Sequence, residues 1–386
     1  MKIERWVLRA PIEAPLANAF GAMTNRPALF LRVTAGDGAW GWGEVFCNFP
    51  QVGAEHRARL VDSIFAPLLA GSATSAMETG ADARTAESGD RACDPAEVRA
   101  LLERRTRRMA IQCGEPGPFA QIIGAIDQAL WDMAARRAGV PLWKHLGGQN
   151  TVRVYTSGIG PDDVGAIALR KQREGFAAFK LKVGFGTARD RVNCAAMRAA
   201  LGADATIMVD ANQAWSTGEA AERIAELAEF RLHWVEEPIA ADEPSEAWRM
   251  LAATCSVPLA AGENIRGQQA FDDAIAGGYL GFIQPDVGKW GGISGGRDVA
   301  RRAAARGIAY CPHWLAGGVG LAATMHALAA AGSENGYAEV DANPNPLREE
   351  VFPIAIERGR VTLSDAPGLG VEPDLRRLAR FVVSAG

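Results

Sequence analysis

The chain has 386 residues, 48% hydrophobic and 22% charged, the composition of a globular protein with a large core. A net charge of −4 and a pI near 5.9 argue against a nucleic-acid surface. No run reaches the ~18 apolar residues of a membrane span, and the start MKIERWVLRAPIEAPL lacks the apolar stretch of a signal peptide.

In chain order, residues 2–10 and 28–34 read as strands, and Gly36-Asp37-Gly38 is a turn signal into a third at 39–46. Helical patterns follow at 54–69, 94–108 and 119–138. The last carries Ile122, Ile126, Leu130 and Met133 on one face, with Gly139 as its stop. A small sheet followed by helices is expected to form an α+β capping domain over residues 1–140. Within it, 72–92 is small, polar and aperiodic, and is expected to be a mobile insertion.

From Thr151 onward, strand and helix patterns alternate. Strands are expected near 152–157, 178–183, 206–210, 232–236, 257–261, 280–284, 308–311 and 336–340, with helices such as Thr217–Phe230 and Gly292–Arg306 between them. Eight strands in regular alternation predict a parallel TIM-like barrel over 141–350. The segment 351–386 is expected to return to the cap. The six cysteines (Cys47, Cys93, Cys113, Cys194, Cys255 and Cys311) form no CxxC pair, which suits reduced thiols and a cytoplasmic location.

The barrel strands end in a ladder of polar residues. Asp210, Glu236 and Glu263 stand 26 and 27 residues apart. Asp286, His313 and Glu339 continue at 23, 27 and 26, and Lys182 precedes Asp210 by 28. One βα unit takes about 25 residues, so this rhythm brings the ladder to one pocket at the barrel mouth.

Three carboxylates on adjacent strand ends form an oxygen cage suited to Mg²⁺, with Mn²⁺ as a substitute; no His or Cys stands at the mouth ends of these strands to favour zinc. Any single acid could cap a helix instead, but three in register favour the cation. Glu237 is assigned a structural role, since the period of two turns it away from Glu236. Lys180 and Lys182 point to one side of their strand. Desolvation beside a cation is expected to depress their pKa values, as suits a general base. Asp286 on the neighbouring strand end would fix the tautomer of His313 and raise the basicity of its other nitrogen. Glu339, if protonated, could donate to a substrate carboxylate. Asn212 and Arg26 are candidate substrate-binding residues, Arg26 within a segment, Asn18–Arg26, expected to be a loop covering the substrate's distal end. The Gly288–Gly296 stretch matches no phosphate-binding fingerprint and reads as a helix start.

With these residues in place, the chain resembles the enolase superfamily, specifically its mandelate racemase-like branch. The motifs that carry the resemblance are Lys180-x-Lys182, Asp210-Ala-Asn212, Glu236-Glu237-Pro238, Gly262-Glu263-Asn264, Gln284-Pro285-Asp286, Pro312-His313 and Glu339. Gly41-Trp42-Gly43-Glu44, Ile126–Asp132 and Pro367-Gly368-Leu369-Gly370 add to them. The resemblance implies a (β/α)7β barrel under an α+β cap, with Mg²⁺ on Asp210, Glu236 and Glu263. It further implies Lys182 on one side of the substrate α-carbon, the Asp286–His313 dyad on the other, and Lys180 and Glu339 at the substrate carboxylate. The segment from Pro312 through Arg348 also resembles lactone cycloisomerases and acid-sugar dehydratases of the branch.

The expected activity is Mg-dependent removal of the α-proton of a carboxylate, first as dehydration of a sugar acid or polyhydroxy acid to a 2-keto acid. A sugar-lactone cycloisomerase, a 2-hydroxy acid racemase or epimerase, and a non-catalytic binding protein are the alternatives. The expected partner is a small-molecule carboxylate, without nucleic acid or membrane, in a homo-oligomer.

Overall fold

The computed structural model describes residues 1–18, 21–71 and 94–386; the insertion expected at 72–92 lies outside the described residues. The chain opens with a long hairpin, β1 (Lys2–Asn18) and β2 (Gly21–Thr34), followed by β3 (Trp40–Val45). The covering loop expected at Asn18–Arg26 is therefore corrected: residues 21–26 belong to β2, and Pro11 faces Asn25 across the ladder. Pro11, Pro15 and Gly21 read as breakers in the sequence. A two-stranded ribbon tolerates them, because a proline without an N–H fits where no further ladder bond is needed.

The barrel strands are β4 (Thr151–Ile159), β5 (Ala178–Lys182), β6 (Thr206–Asp210), β7 (Val235–Glu236), β8 (Leu259–Ala261), β9 (Phe282–Ile283), β10 (Ala309–Tyr310) and β11 (Ala338–Asp341). They pair in parallel in the order β10-β9-β8-β7-β6-β5-β4-β11. A helix of ten or more residues follows each from β4 to β10, which is the expected (β/α)7β succession. Strand β12 (Arg360–Thr362) pairs with β4, and β13 (Val382–Ala385) adds an antiparallel edge to β1, so the chain end completes the N-terminal sheet. Among the described residues no helix is long and apolar enough to cross a membrane.

The helix Pro116–Arg137 locks the two parts together. Its backbone lies so close to β3 that a Cβ at Gly43 would collide with the Ala125 carbonyl, which is why small residues alternate in Gly41-Trp42-Gly43-Glu44. Asp127 accepts from Ser294 N and Oγ, and Gln128 donates to Val287 O, reaching the barrel. Asp132 takes Trp42 N at 2.8 Å and Leu369 N at 2.6 Å, joining the cap sheet to the Pro367–Gly370 turn. Each of these buried polar groups has its partner, so the three distant motifs form one structural joint.

Candidate active site

Strand register assembles the first part of the site. Lys182 lies beside Asp210 and Asp210 beside Glu236, on the adjacent ends of β5, β6 and β7. Glu263 follows β8 by two residues. Gly262 lets it turn inward, since a Cβ there would meet the Gln284 backbone. The carboxylates of Asp210, Glu236 and Glu263 are all buried.

Cationic side chains hold these carboxylates. Lys180 Nζ lies 2.5 Å from Glu236 Oε1, 2.8 Å from Glu339 Oε1 and 3.4 Å from Asp210 Oδ2, 5.3 Å from the centre of the Tyr155 ring. Lys182 Nζ lies 2.6 Å from Asp210 Oδ2 and 2.7 Å from Asn212 Oδ1. Burial alone would push both ammoniums down. Glu236 and Glu339 around Lys180, and Asp210 beside Lys182, instead hold both above the usual lysine range. The depression expected beside a cation does not arise from the protein's own groups: paired carboxylates outweigh desolvation.

On the other side, His313 Nδ1 lies 2.5 Å from Asp286 Oδ2, and Nε2 lies 2.6 Å from Glu263 Oε2 and 3.5 Å from Glu339 Oε2. Burial opposes its charge, but Glu263, Glu339 and Asp286 raise it to about 10, so the ring is an imidazolium here. Glu339 is likewise not the protonated donor expected. Burial raises its carboxyl, yet Lys180 and His313 outweigh this and hold it below the usual range, and it accepts from Trp314 N.

Two groups at this site escaped the sequence reading. Lys289 is buried, with Nζ 3.0 Å from Glu263 Oε2 and 4.7 Å from the centre of the Phe46 ring. Its place three residues after Asp286, on the mouth side of β9, was the available signal. Glu237 does not turn away as assigned. Its φ of +40° breaks the strand alternation, and Asn264 Nδ2 binds its two oxygens at 2.9 and 3.0 Å. Burial, with Glu263 and Asp210 nearby, pushes it up to about 8.

The remaining candidate, Arg26, is buried at the end of β11, paired to Asp341 at 2.6 Å. Glu44 and Asn48 of the cap also grip the mouth: the Glu44 carboxylate accepts from Gly317 N and Gly320 N, and Asn48 donates to Leu315 O.

A divalent cation fits this donor set. Among the described residues, no three His, Cys, Asp or Glu close into a ligand cluster, because lysines and His313 occupy the carboxylate oxygens. The oxygen-only character of the set nevertheless suits one. Six carboxylates (Asp210, Glu236, Glu237, Glu263, Asp286 and Glu339) face four cations (Lys180, Lys182, Lys289 and His313). With all ionised, the surplus is two negative charges on hard oxygen ligands. Burial, with Asp210 and Glu339 adding to it against Lys180, pushes Glu236 up to about 8, the mark of that surplus.

Residues 2–147 match the mandelate racemase / muconate lactonizing enzyme N-terminal domain, and residues 163–377 match the enolase C-terminal domain-like family. The chain is 29% identical to a D-galactarolactone cycloisomerase of Agrobacterium fabrum, over 97% of this chain and 96% of that protein. A mandelate racemase/muconate lactonizing enzyme structure from Bordetella bronchiseptica RB50 superposes with a TM-score of 0.88 at 46% identity, covering 98% of each chain. An L-talarate dehydratase from Polaromonas sp. JS666, complexed with Mg and L-glucarate, superposes with a TM-score of 0.80 at 26% identity, covering 100% of this chain and 97% of that one.

Proposed function

This chain belongs to the mandelate racemase / muconate lactonizing enzyme family of the enolase superfamily, and we propose that it is a magnesium-dependent dehydratase of sugar acids. The observation that carries this reading is the placement of Lys182 and His313. Lys182 pairs with Asp210 and His313 with Glu263, the first and last acids of the trio in strand order, so the two groups flank the carboxylates. A group able to take a proton and a group able to give one then flank a single reacting carbon.

Asp210, Glu236 and Glu263 would hold a magnesium ion, whose chemistry when bound is Lewis-acid stabilisation of developing negative charge. Lys180, braced between Glu236 and Glu339, is the protein's own cation for the substrate carboxylate. With Asp210 given over to a cation, Lys182 would lose the partner that holds its proton; as the neutral amine it would remove the α-proton, and the resulting enediolate is stabilised by donors already in place. The protonated Nε2 of His313 gives its proton to the β-hydroxyl, which leaves as water, and the enol tautomerises to a 2-keto acid. Asp286 supports the imidazolium throughout.

A lactone cycloisomerase is the second reading, favoured by the relative of that name that spans 97% of this chain. It uses the same base and expels a ring oxygen in place of water. Proton NMR in D₂O with Mg²⁺ and a panel of sugar acids and lactones separates the cases: dehydration gives a 2-keto acid, cycloisomerisation opens a ring, and racemisation only exchanges the α-proton. In the Lys182→Ala and His313→Asn variants turnover should vanish with the fold intact, leaving at most α-proton exchange. No reaction of any acid or lactone, or near wild-type kcat in either variant, would overturn the assignment.

A further inference from the structure

Lys289 touches both halves of the site, yet none of the steps above uses it. It stands in the turn that follows β9, where its backbone N–H donates to Asp286 Oδ1 at 3.1 Å and to the Asp286 carbonyl at 3.0 Å. The turn is tight, since a Cβ at Gly288 would run into the Trp314 ring. The side chain is buried under Phe46, with Nζ 4.7 Å from the ring centre and 3.0 Å from Glu263 Oε2. The backbone of this residue thus holds the dyad, and its ammonium holds a carboxylate of the trio.

Glu263 Oε2 has a second cation on it. His313 Nε2 lies 2.6 Å from the same oxygen, and the Nε2 proton is the one destined for the β-hydroxyl. One N–H cannot bond Glu263 and the leaving oxygen at full strength together. The imidazolium must therefore let go of Glu263 before it serves the substrate. Separating a buried pair is strongly unfavourable when it leaves one charge without a partner. Lys289 already sits on the oxygen that His313 vacates. The other two lysines are engaged elsewhere, Lys180 with Glu236 and Glu339, and Lys182 with Asp210.

We propose that Lys289 is the positioning residue that releases His313: it holds Oε2 of Glu263, so that the imidazolium is free to turn to the β-hydroxyl. Lys289 meets no reacting atom and acts through Glu263 and His313. The Nε2 proton passes to the hydroxyl oxygen as the Cβ–O bond breaks. The bonding pair leaves with the water, and the ring is left neutral. Glu263 then keeps one cationic side chain where it would otherwise have none. This role rests on the dehydration reading for the destination of the proton.

The test uses the full chain and Lys289→Met, which keeps the backbone N–H on Asp286 and a side chain of similar length but removes the ammonium. Proton NMR in D₂O with Mg²⁺ follows the best acid found for the wild type. Formation of the 2-keto acid should fall by about 30-fold or more, the range of a lost general acid. The α-proton signal should still disappear within about tenfold of the wild-type rate, now into α-deuterated acid, because Lys182 is untouched. Calorimetry without substrate gives a second readout. Removing a positive charge beside the carboxylates should tighten Mg²⁺ binding by about threefold or more. A residue that only packed Glu263 in place would, once removed, weaken Mg²⁺ binding and slow both proton steps together. That pattern, or wild-type formation of the 2-keto acid by the variant, overturns the proposal. If Lys289→Met fails to fold, Lys289→Gln decides on the same readouts. A wild type that dehydrates no acid overturns the dehydration reading and this role with it. A wild type that dehydrates, beside a variant that keeps its kcat, overturns this role alone.

Discussion

His313 and Asp286 share one short contact, Nδ1 to Oδ2 at 2.5 Å, just beyond the adjacent ends of β9 and β10. The other Asp286 oxygen is held by the backbone N–H groups of Gly288 at 2.7 Å and Lys289 at 3.1 Å, so the carboxylate cannot swing away. The imidazolium is thereby fixed in plane, with Nε2 aimed at Glu263 and the mouth.

Asp286→Asn should keep this packing while removing the charge behind the imidazolium. We expect kcat to fall on the order of 10²–10⁴-fold, with the melting temperature nearly unchanged. Steady-state kinetics on the best acid of the panel, beside a thermal melt, checks both. A variant with wild-type kcat would take Asp286 out of the mechanism.

Metal removal gives a second expectation. With three hard carboxylates on adjacent strand ends and no soft ligand among them, EDTA treatment should abolish turnover, and Mg²⁺ or Mn²⁺ should restore it. The same addition should raise the melting temperature, because a cation bound only by the native state stabilises it. Full activity in excess EDTA, or restoration by Zn²⁺ alone, contradicts the oxygen-ligand assignment.

A third expectation concerns His326, far from the chemistry. Its Nδ1 accepts from Trp143 N at 2.8 Å, and Nε2 lies 3.2 Å from Leu369 O. Burial, against the weaker support of Leu369, holds it down to about 4. The unfolded chain takes up this proton near pH 6.5 and the native state only near 4, so the stability due to neutral His326 is complete above 6.5 and is lost as pH falls towards 4. By pH 5 the loss is about 2 kcal/mol. His326→Gln cannot titrate. Its melting temperature should trail the wild type at pH 7.5, and the gap should shrink at pH 5. A gap independent of pH would refute the buried neutral ring.

The sequence by itself determined the barrel and its polar ladder. A repeat of about 25 residues and a period of two are local properties of strands and helices, and they place Lys182, Asp210 and Glu236 at strand ends without any knowledge of neighbours. It could not determine where a side chain points once the backbone leaves its regular geometry. Glu237 entered the pocket through a positive φ. Glu263 turned in where Gly262 allows close approach, and residues 21–26 joined a strand despite their breakers. Protonation was also beyond it. Lys180, Lys182 and Glu339 are charged because each is buried against opposite charges brought from other strands. Arg26 likewise finds its partner in Asp341, 315 residues away in sequence. Charge balance depends on which groups share a desolvated space, and only the tertiary structure decides that.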